Sequence, residues 1–305
     1  MIVHPVPWRR ARLAAASCAA LAALTLAAAG ATAAQAGTGA SGPGLAPVVT
    51  TGEGAVQGST AGTVDEFLGI PYAAPPVGNL RWRPPAPPRD WHGVRNATQF
   101  GPSCPQALTG NPLLPPGPIS EDCLYLNVYA PAVNSDDQGG RPVLVWIHGG
   151  GLVQDGARDY DGSELAADGV VVVTINYRLG ALGFLAHPAL ASRPGGAAGN
   201  YGLMDQQAAL RWVQRNIARF GGDPDNVTIA GQSAGGLSVL AQMVSPGARG
   251  LFQRAIVESG TYQLTEPSLA AAETAGQAFA AKAGCASDTA RNTASGTGSG
   301  TGSGA

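Results

Sequence analysis

Only four of the 305 residues are histidine, namely His4, His92, His148 and His187, and none of them follows residue 187. Any reaction that draws a histidine from the last third of the sequence is therefore excluded for the chain as it stands. Lysine is rarer still. Lys282 stands alone against seventeen arginines, and these are scattered, so the clustered basic face of a nucleic-acid-binding protein is missing. Histidine, cysteine and carboxylate residues show no ligand spacing, which leaves no metal and no cofactor to expect. The longest apolar run, Leu13 to Ala29, falls short of the roughly 20 residues of a membrane-spanning helix.

That run has a different signature. Arg9, Arg10 and Arg12 precede it and Ala34-Gln35-Ala36 follows it, the three parts of a secretory leader with its cleavage site. Residues 1–36 are expected to be a signal peptide and the mature chain to be secreted, without membrane association after cleavage. Residues 37–46 read as a Gly/Ala/Ser/Pro linker, and 291–305 as a low-complexity, disordered tail. Nothing in the composition sets the oligomeric state.

Export would permit disulfides. Beyond the leader there are three cysteines, Cys104, Cys123 and Cys285. The first two bracket a loop rich in proline and glycine, and a bridge between them would add about 3 kcal/mol on the loop-entropy account. Cys285 is then left over, an odd thiol in an exported chain.

Between the linker and the tail, strand and helix patterns alternate. Val48–Thr51, Ala55–Gly58 and Phe67–Ile70 predict an antiparallel edge, and the proline-dense passage from Pro71 to Pro88 predicts a surface wrap. Leu124–Tyr129 opens the α/β pattern, and the apolar runs Pro142–Ile147 and Val170–Asn176 read as buried strands around a helical stretch near Glu164–Asp168. Leu203, Gln207, Leu210, Val213 and Ile217 keep helical spacing up to the stop at Gly221-Gly222. Strand Val227–Ala230, helix Ala234–Val244, strand Ala255–Glu258 and an alanine-rich helix from Pro267 to Gly284 complete the series.

Two motifs carry chemistry. Gly231-Gln232-Ser233-Ala234-Gly235 directly follows a strand and opens a helix, the setting of a nucleophile elbow. Its glycines permit a turn sharp enough to lift a serine hydroxyl above a sheet. Upstream, Ile147-His148-Gly149-Gly150-Gly151 ends a buried strand, and glycine amides there would face a developing alkoxide, with the Ala234 N–H as a further donor. Either motif alone could be a loop. Together, in this order and each at a strand end, they point to acyl transfer.

Longer motifs sharpen this. Phe67-Leu-Gly-Ile-Pro-Tyr-Ala-Ala-Pro-Pro-Val-Gly78, Glu121-Asp-Cys-Leu-Tyr-Leu-Asn127, Asn176-Tyr-Arg-Leu-Gly180, Gly199-Asn-Tyr-Gly-Leu203 with Asp205-Gln206, and Phe220-Gly-Gly-Asp-Pro224 lead in order into the elbow. From about Val56 to Ala283 the chain resembles the type-B carboxylesterase/cholinesterase family of α/β-hydrolases. The resemblance implies an α/β fold with a mostly parallel central sheet flanked by helices, formed by the N-terminal part of the domain over residues 47–290. It also implies a serine carboxylesterase acting on small-molecule esters. Ser233 would be the nucleophile, Gly150, Gly151 and Ala234 the oxyanion hole, and Cys104–Cys123 a disulfide.

Three departures stand out. Gln232 replaces the glutamate usual before the serine, and Leu152 replaces the usual phenylalanine after the glycines. The match also ends near Ala283, at about half the family's usual length, before the region that carries the triad acid and histidine. The expectation is a chain lacking the C-terminal strands and helices, and impaired or inactive for that reason. A catalytically dead binding protein of the same fold and a non-functional gene fragment are the competing readings.

Overall fold

In the computed structural model, residues 46–107, 117–132, 140–192, 199–261, 265 and 267–285 are described. The strands are β1 (Val48–Thr50), β2 (Ala55–Gln57), β3 (Ser59–Ala61), β4 (Val64–Pro71), β5 (Val94–Asn96), β6 (Tyr125–Pro131), β7 (Arg141–Ile147), β8 (Val171–Ile175), β9 (Gly222–Gln232) and β10 (Arg254–Glu258). The helices are α1 (Ser163–Ala167), α2 (Gly180–Phe184), α3 (Pro188–Ala191), α4 (Tyr201–Asn216), α5 (Ala234–Val244) and α6 (Leu269–Lys282).

Seven strands form the main sheet in the order β10-β9-β7-β8-β6-β4-β3. From β10 to β8 every pairing is parallel; β6, β4 and β3 then join antiparallel. β4 consequently runs the same way as β8, so five of the seven strands share one direction. The expected antiparallel edge divides in two. β1 and β2 belong to a separate three-stranded sheet with β5, a strand the sequence pattern did not announce, while β4 sits in the main sheet.

The continuous apolar runs are continuous because both faces of the sheet are covered. In β8 all five residues are buried. Val171, Val173 and Ile175 join the main core with Leu210, Trp212 and Val213 of α4, whereas Val172 points the other way, to Tyr129 and Ala166 of α1. α4 gives way to a 3-10 turn, Ile217–Phe220, and Gly221 closes it at φ 83°, a left-handed cap that glycine adopts freely. The Cys104–Cys123 bridge is formed and buried, and Cys285 is free and exposed.

The α4 motif has a structural purpose. Asp205, fully buried, accepts hydrogen bonds from Arg178 Nε and Nη2, both 2.7 Å, and from the Arg178 N–H at 3.1 Å. Gln206 donates to Ser238 Oγ at 3.1 Å and accepts from Gln242 at 2.9 Å, tying α4 to α5. Those bonds fix the helix that follows Ser233.

Candidate active site

The carboxyl ends of β7, β8 and β9 stop at one level, with Ile147 opposite both Ile175 and Gly231. Ligand sites of open α/β sheets gather at such ends. β9 ends at Gln232 and α5 begins at Ala234, so Ser233 alone makes the turn from strand to helix. Its backbone has φ 56° and ψ −121°, the first central position of a type II′ turn, which normally demands glycine. The Ser233 N–H donates to the Glu258 carbonyl at 2.8 Å, and the Ser233 carbonyl accepts from Leu237 N–H at 2.9 Å.

The neighbouring glycines make that turn possible by close approach. A Cβ on Gly235 would stand 2.0 Å from the Ile147 carbonyl oxygen, and one on Gly231 2.8 Å from the same atom. One on Gly236 would stand 2.8 Å from the Glu258 carbonyl. The first turn of α5 therefore rests directly on the ends of β7 and β10.

The second motif lies alongside. A Cβ on Gly149 would come within 2.8 Å of the Gln232 carbonyl oxygen and 3.4 Å of Ser233 Cβ. Gly150 (φ 82°) and Gly151 (φ 63°) turn the chain in the left-handed region, and the Gly150 carbonyl accepts from Val153 N–H and Gln154 N–H, both at 3.1 Å. His148 is buried, stacked on Tyr177 at 4.3 Å between ring centroids, and its Nδ1 faces the Gly149 carbonyl at 3.1 Å. Burial depresses its pKa to about 4, so the ring is neutral at physiological pH. The Tyr177 hydroxyl donates to the His148 carbonyl at 2.8 Å, fixing the strand end.

Ser233, Ala234 and the Gly149–Gly151 loop, separated by more than 80 positions in sequence, are thus brought together, and the two bracketing cysteines are joined. The other histidines of the described residues are elsewhere. His187 caps α3, accepting from Ala189 N–H at 3.1 Å, and His92 is exposed in the wrapping segment. Glu258 reaches the elbow through its backbone carbonyl, at the last position of β10. Of the other acids that follow Ser233, Glu273 lies on α6, and Glu266 and Asp288 lie outside the described residues. Leu152 holds φ 62° and its carbonyl accepts from Gly180 N–H at 2.7 Å. A groove of about 650 Å³ begins there, lined by Leu152, Phe184, Leu203, Leu237 and Leu240. Residues with no role assigned from sequence also meet here: Gln106, Asp155 and Tyr177. Among the described residues no histidine, cysteine and carboxylate group could hold a metal ion, and no helix is long and apolar enough to cross a membrane. A hydroxyl on a forced turn, beside a loop of three glycines, is an arrangement suited to addition at a carbonyl.

Comparison with known proteins bears on this geometry. The model of the family described as "Carboxylesterase family" matches residues 45–296. Fumonisin B1 esterase of Sphingopyxis macrogoltabida is 52% identical over 216 residues, which is 68% of this chain and 39% of that protein. The para-nitrobenzyl esterase of Bacillus subtilis is 49% identical over 233 residues, 75% of this chain and 46% of its own. Among solved structures, a thermophilic PNB esterase superposes with a TM-score of 0.73 at 44% identity, covering 82% of this chain and 51% of that one. The carboxylesterase of Geobacillus stearothermophilus gives 0.72 at 44% identity, over 80% and 50% respectively. The chain spans a little under half the length of the curated relatives it matches.

Proposed function

The chain belongs to the carboxylesterase family and has its α/β-hydrolase fold, and from that premise we propose that it is a carboxylic-ester hydrolase working through an acyl-enzyme at Ser233. The observation that carries the reading is the backbone of Ser233, a non-glycine residue held at φ 56° and ψ −121° beside the Gly149–Gly151 loop. Such a conformation costs on the order of 1–3 kcal/mol and persists where a function requires it. A binding protein has no use for it.

In the proposed reaction Ser233 Oγ adds to the ester carbonyl while its proton passes to a base. The N–H groups of Gly150, Gly151 and Ala234 receive the oxyanion. Collapse expels the alcohol with a proton and leaves the acyl group on Oγ; water then repeats the addition and releases the acid. The groove beside Leu152 and Leu237 suits the apolar part of a small ester.

The base is the weak point of this chain. His148 is neutral but sealed against Tyr177 and the Gly149 carbonyl, and no histidine follows Ser233. For these 305 residues assayed by themselves we place turnover at the level that the oxyanion hole and binding alone sustain, about 10³–10⁴ over water by analogy with serine proteases stripped of triad members. The domain reading belongs to the same proposal: a leader over 1–36 with secretion of the remainder, a linker over 37–46, the esterase region over 47–290 and a tail over 291–305.

The test is incubation with a serine-directed fluorophosphonate and with a short-chain nitrophenyl ester, beside Ser233→Ala. Slow labelling at Ser233 with slow hydrolysis, both lost in the variant, is expected. Hydrolysis and labelling unchanged in Ser233→Ala, or absent from the unaltered chain, would overturn the reading.

A further inference from the structure

The Gly150–Asp155 turn is short of regular structure and holds two non-standard conformations besides its glycines' own. Leu152 sits at φ 62° and Asp155 at φ 88°, both outside the range such residues favour. Some contact must over-determine them. Within the turn there are only the bonds from Val153 and Gln154 to the Gly150 carbonyl.

The missing restraint comes from a distant part of the chain. The side-chain amide of Gln106 pairs with the backbone of Asp155 on both sides. Its Oε1 accepts from the Asp155 N–H at 2.9 Å, and its Nε2 donates to the Asp155 carbonyl at 3.0 Å. The same Nε2 lies 3.2 Å from the Cys104 carbonyl. Cys104 is held in turn by its bridge to Cys123, and Ser103 exchanges backbone bonds with Pro118 and Ser120 at 2.9 and 3.1 Å.

Position passes from Asp155 to the glycines by contact. A Cβ on Gly150 would stand 2.1 Å from the Gln154 carbonyl oxygen and 2.9 Å from Asp155 Cβ, so Gly150 is packed against the residues that Gln106 holds. On the far side the Ala157 N–H donates to Asn176 Oδ1 at 2.9 Å, and the Tyr160 hydroxyl donates to Asp155 Oδ2 at 2.8 Å. The first restrains the residues after the turn, and the second holds the Asp155 side chain, as the Gly180 N–H holds the Leu152 carbonyl at 2.7 Å. Gln106 holds the Asp155 backbone itself.

We propose that Gln106 is a positioning residue: its side chain, anchored beside the Cys104–Cys123 bridge, clamps Asp155 and so fixes Gly150 and Gly151 next to Ser233. The benefit to catalysis rests on the ester-hydrolase reading, but the clamp itself does not.

The experiment follows the full chain and its Gln106→Leu and Gln106→Glu variants by hydrogen–deuterium exchange, with thermal melts alongside. Loss of two hydrogen bonds is expected to speed exchange at the amides of Val153, Gln154 and Asp155 about ten- to a hundredfold in Gln106→Leu. Gln106→Glu, which keeps the acceptor for Asp155 N–H and loses the donor, should fall between. Amides of β7, β8 and β9 should keep their protection. Wild-type exchange of the turn in both variants overturns the proposal, and so does acceleration spread evenly over the sheet, the mark of a merely structural residue.

Reactivity supplies a second readout. An aryl phosphate triester and its thiono analogue phosphorylate the same serine, but sulfur is the poorer hydrogen-bond acceptor. In Gln106→Leu the preference for the oxygen compound should shrink about tenfold, as for loss of one oriented donor; an unchanged preference overturns the proposal. Should the unaltered chain show clamp-dependent exchange but no serine labelling, the clamp stands and the ester-hydrolase reading alone falls.

Discussion

Replacing Ser233 by glycine should make the protein more stable while abolishing its reactivity. The φ 56°, ψ −121° conformation costs a residue with a Cβ on the order of 1–3 kcal/mol, and glycine adopts it without that penalty. Against the gain stands the extra freedom of glycine in the unfolded chain, about 0.4–1 kcal/mol. Loss of a partly buried Cβ removes roughly half of the ~0.8 kcal/mol a buried methylene contributes. The balance favours Ser233→Gly by about 1 kcal/mol. The correct reference is Ser233→Ala, which lacks the hydroxyl but keeps the Cβ and therefore the strain. Urea denaturation of both variants at one pH should show parallel transitions, with the glycine midpoint higher by about 0.5 M. If Ser233→Gly were equal to or less stable than Ser233→Ala, the turn would not be strained, and the argument that function holds it there would collapse.

Other consequences can be checked with the same methods. His148 has a folded pKa of about 4 against 6.5 for an ordinary histidine, so the unfolded chain binds more protons between those values and stability falls as pH drops from 6.5 to 4. The loss is on the order of 3 kcal/mol, and it should vanish from the pH profile of His148→Gln. Asp159, raised to about 6 by desolvation and its neighbour Asp155, titrates with the opposite sign, so the difference between the two profiles is the informative quantity. Asp205→Ala leaves the Arg178 guanidinium buried without its carboxylate and should cost about 3–5 kcal/mol in a denaturant titration. Gly235→Ala drives a methyl into the Ile147 carbonyl, with an expected cost of at least about 1–3 kcal/mol and loss of any Ser233 labelling; a variant that still labels at the normal rate would contradict the close packing of α5.

Much of the fold could be read from the chain because hydrophobic period and turn residues agree with each other. The runs at Val170–Asn176 and Pro142–Ile147 became β8 and β7, and Gly221 ended the helical region where glycine spacing indicated. Short elements were harder. β5 is three exposed residues whose pairing with β2 is decided by distant neighbours, and α2 and α3 are single turns with little periodicity to detect. The same division holds at the site. Gly150, Gly151, Ser233 and Ala234 could be placed at strand ends because a sharp turn and a close approach leave glycine in the sequence. Gln106 could not, because one side-chain amide paired with one backbone residue 49 positions away leaves no pattern. Its only sequence cue is its place two residues after Cys104. Asp155 is equally silent, since its left-handed φ appears at a residue type common in any loop.

The glycines around Ser233 also bear on how such a site is surveyed. On the proposed reading the groups that matter are backbone N–H groups, and nothing can be truncated to reveal them. An alanine scan would register Gly150, Gly231, Gly235 and Gly236 as folding defects and leave the amides of Gly150 and Gly151 in place. Their contribution is open to backbone chemistry instead, by replacing single amides with esters in a semisynthetic chain, one donor at a time.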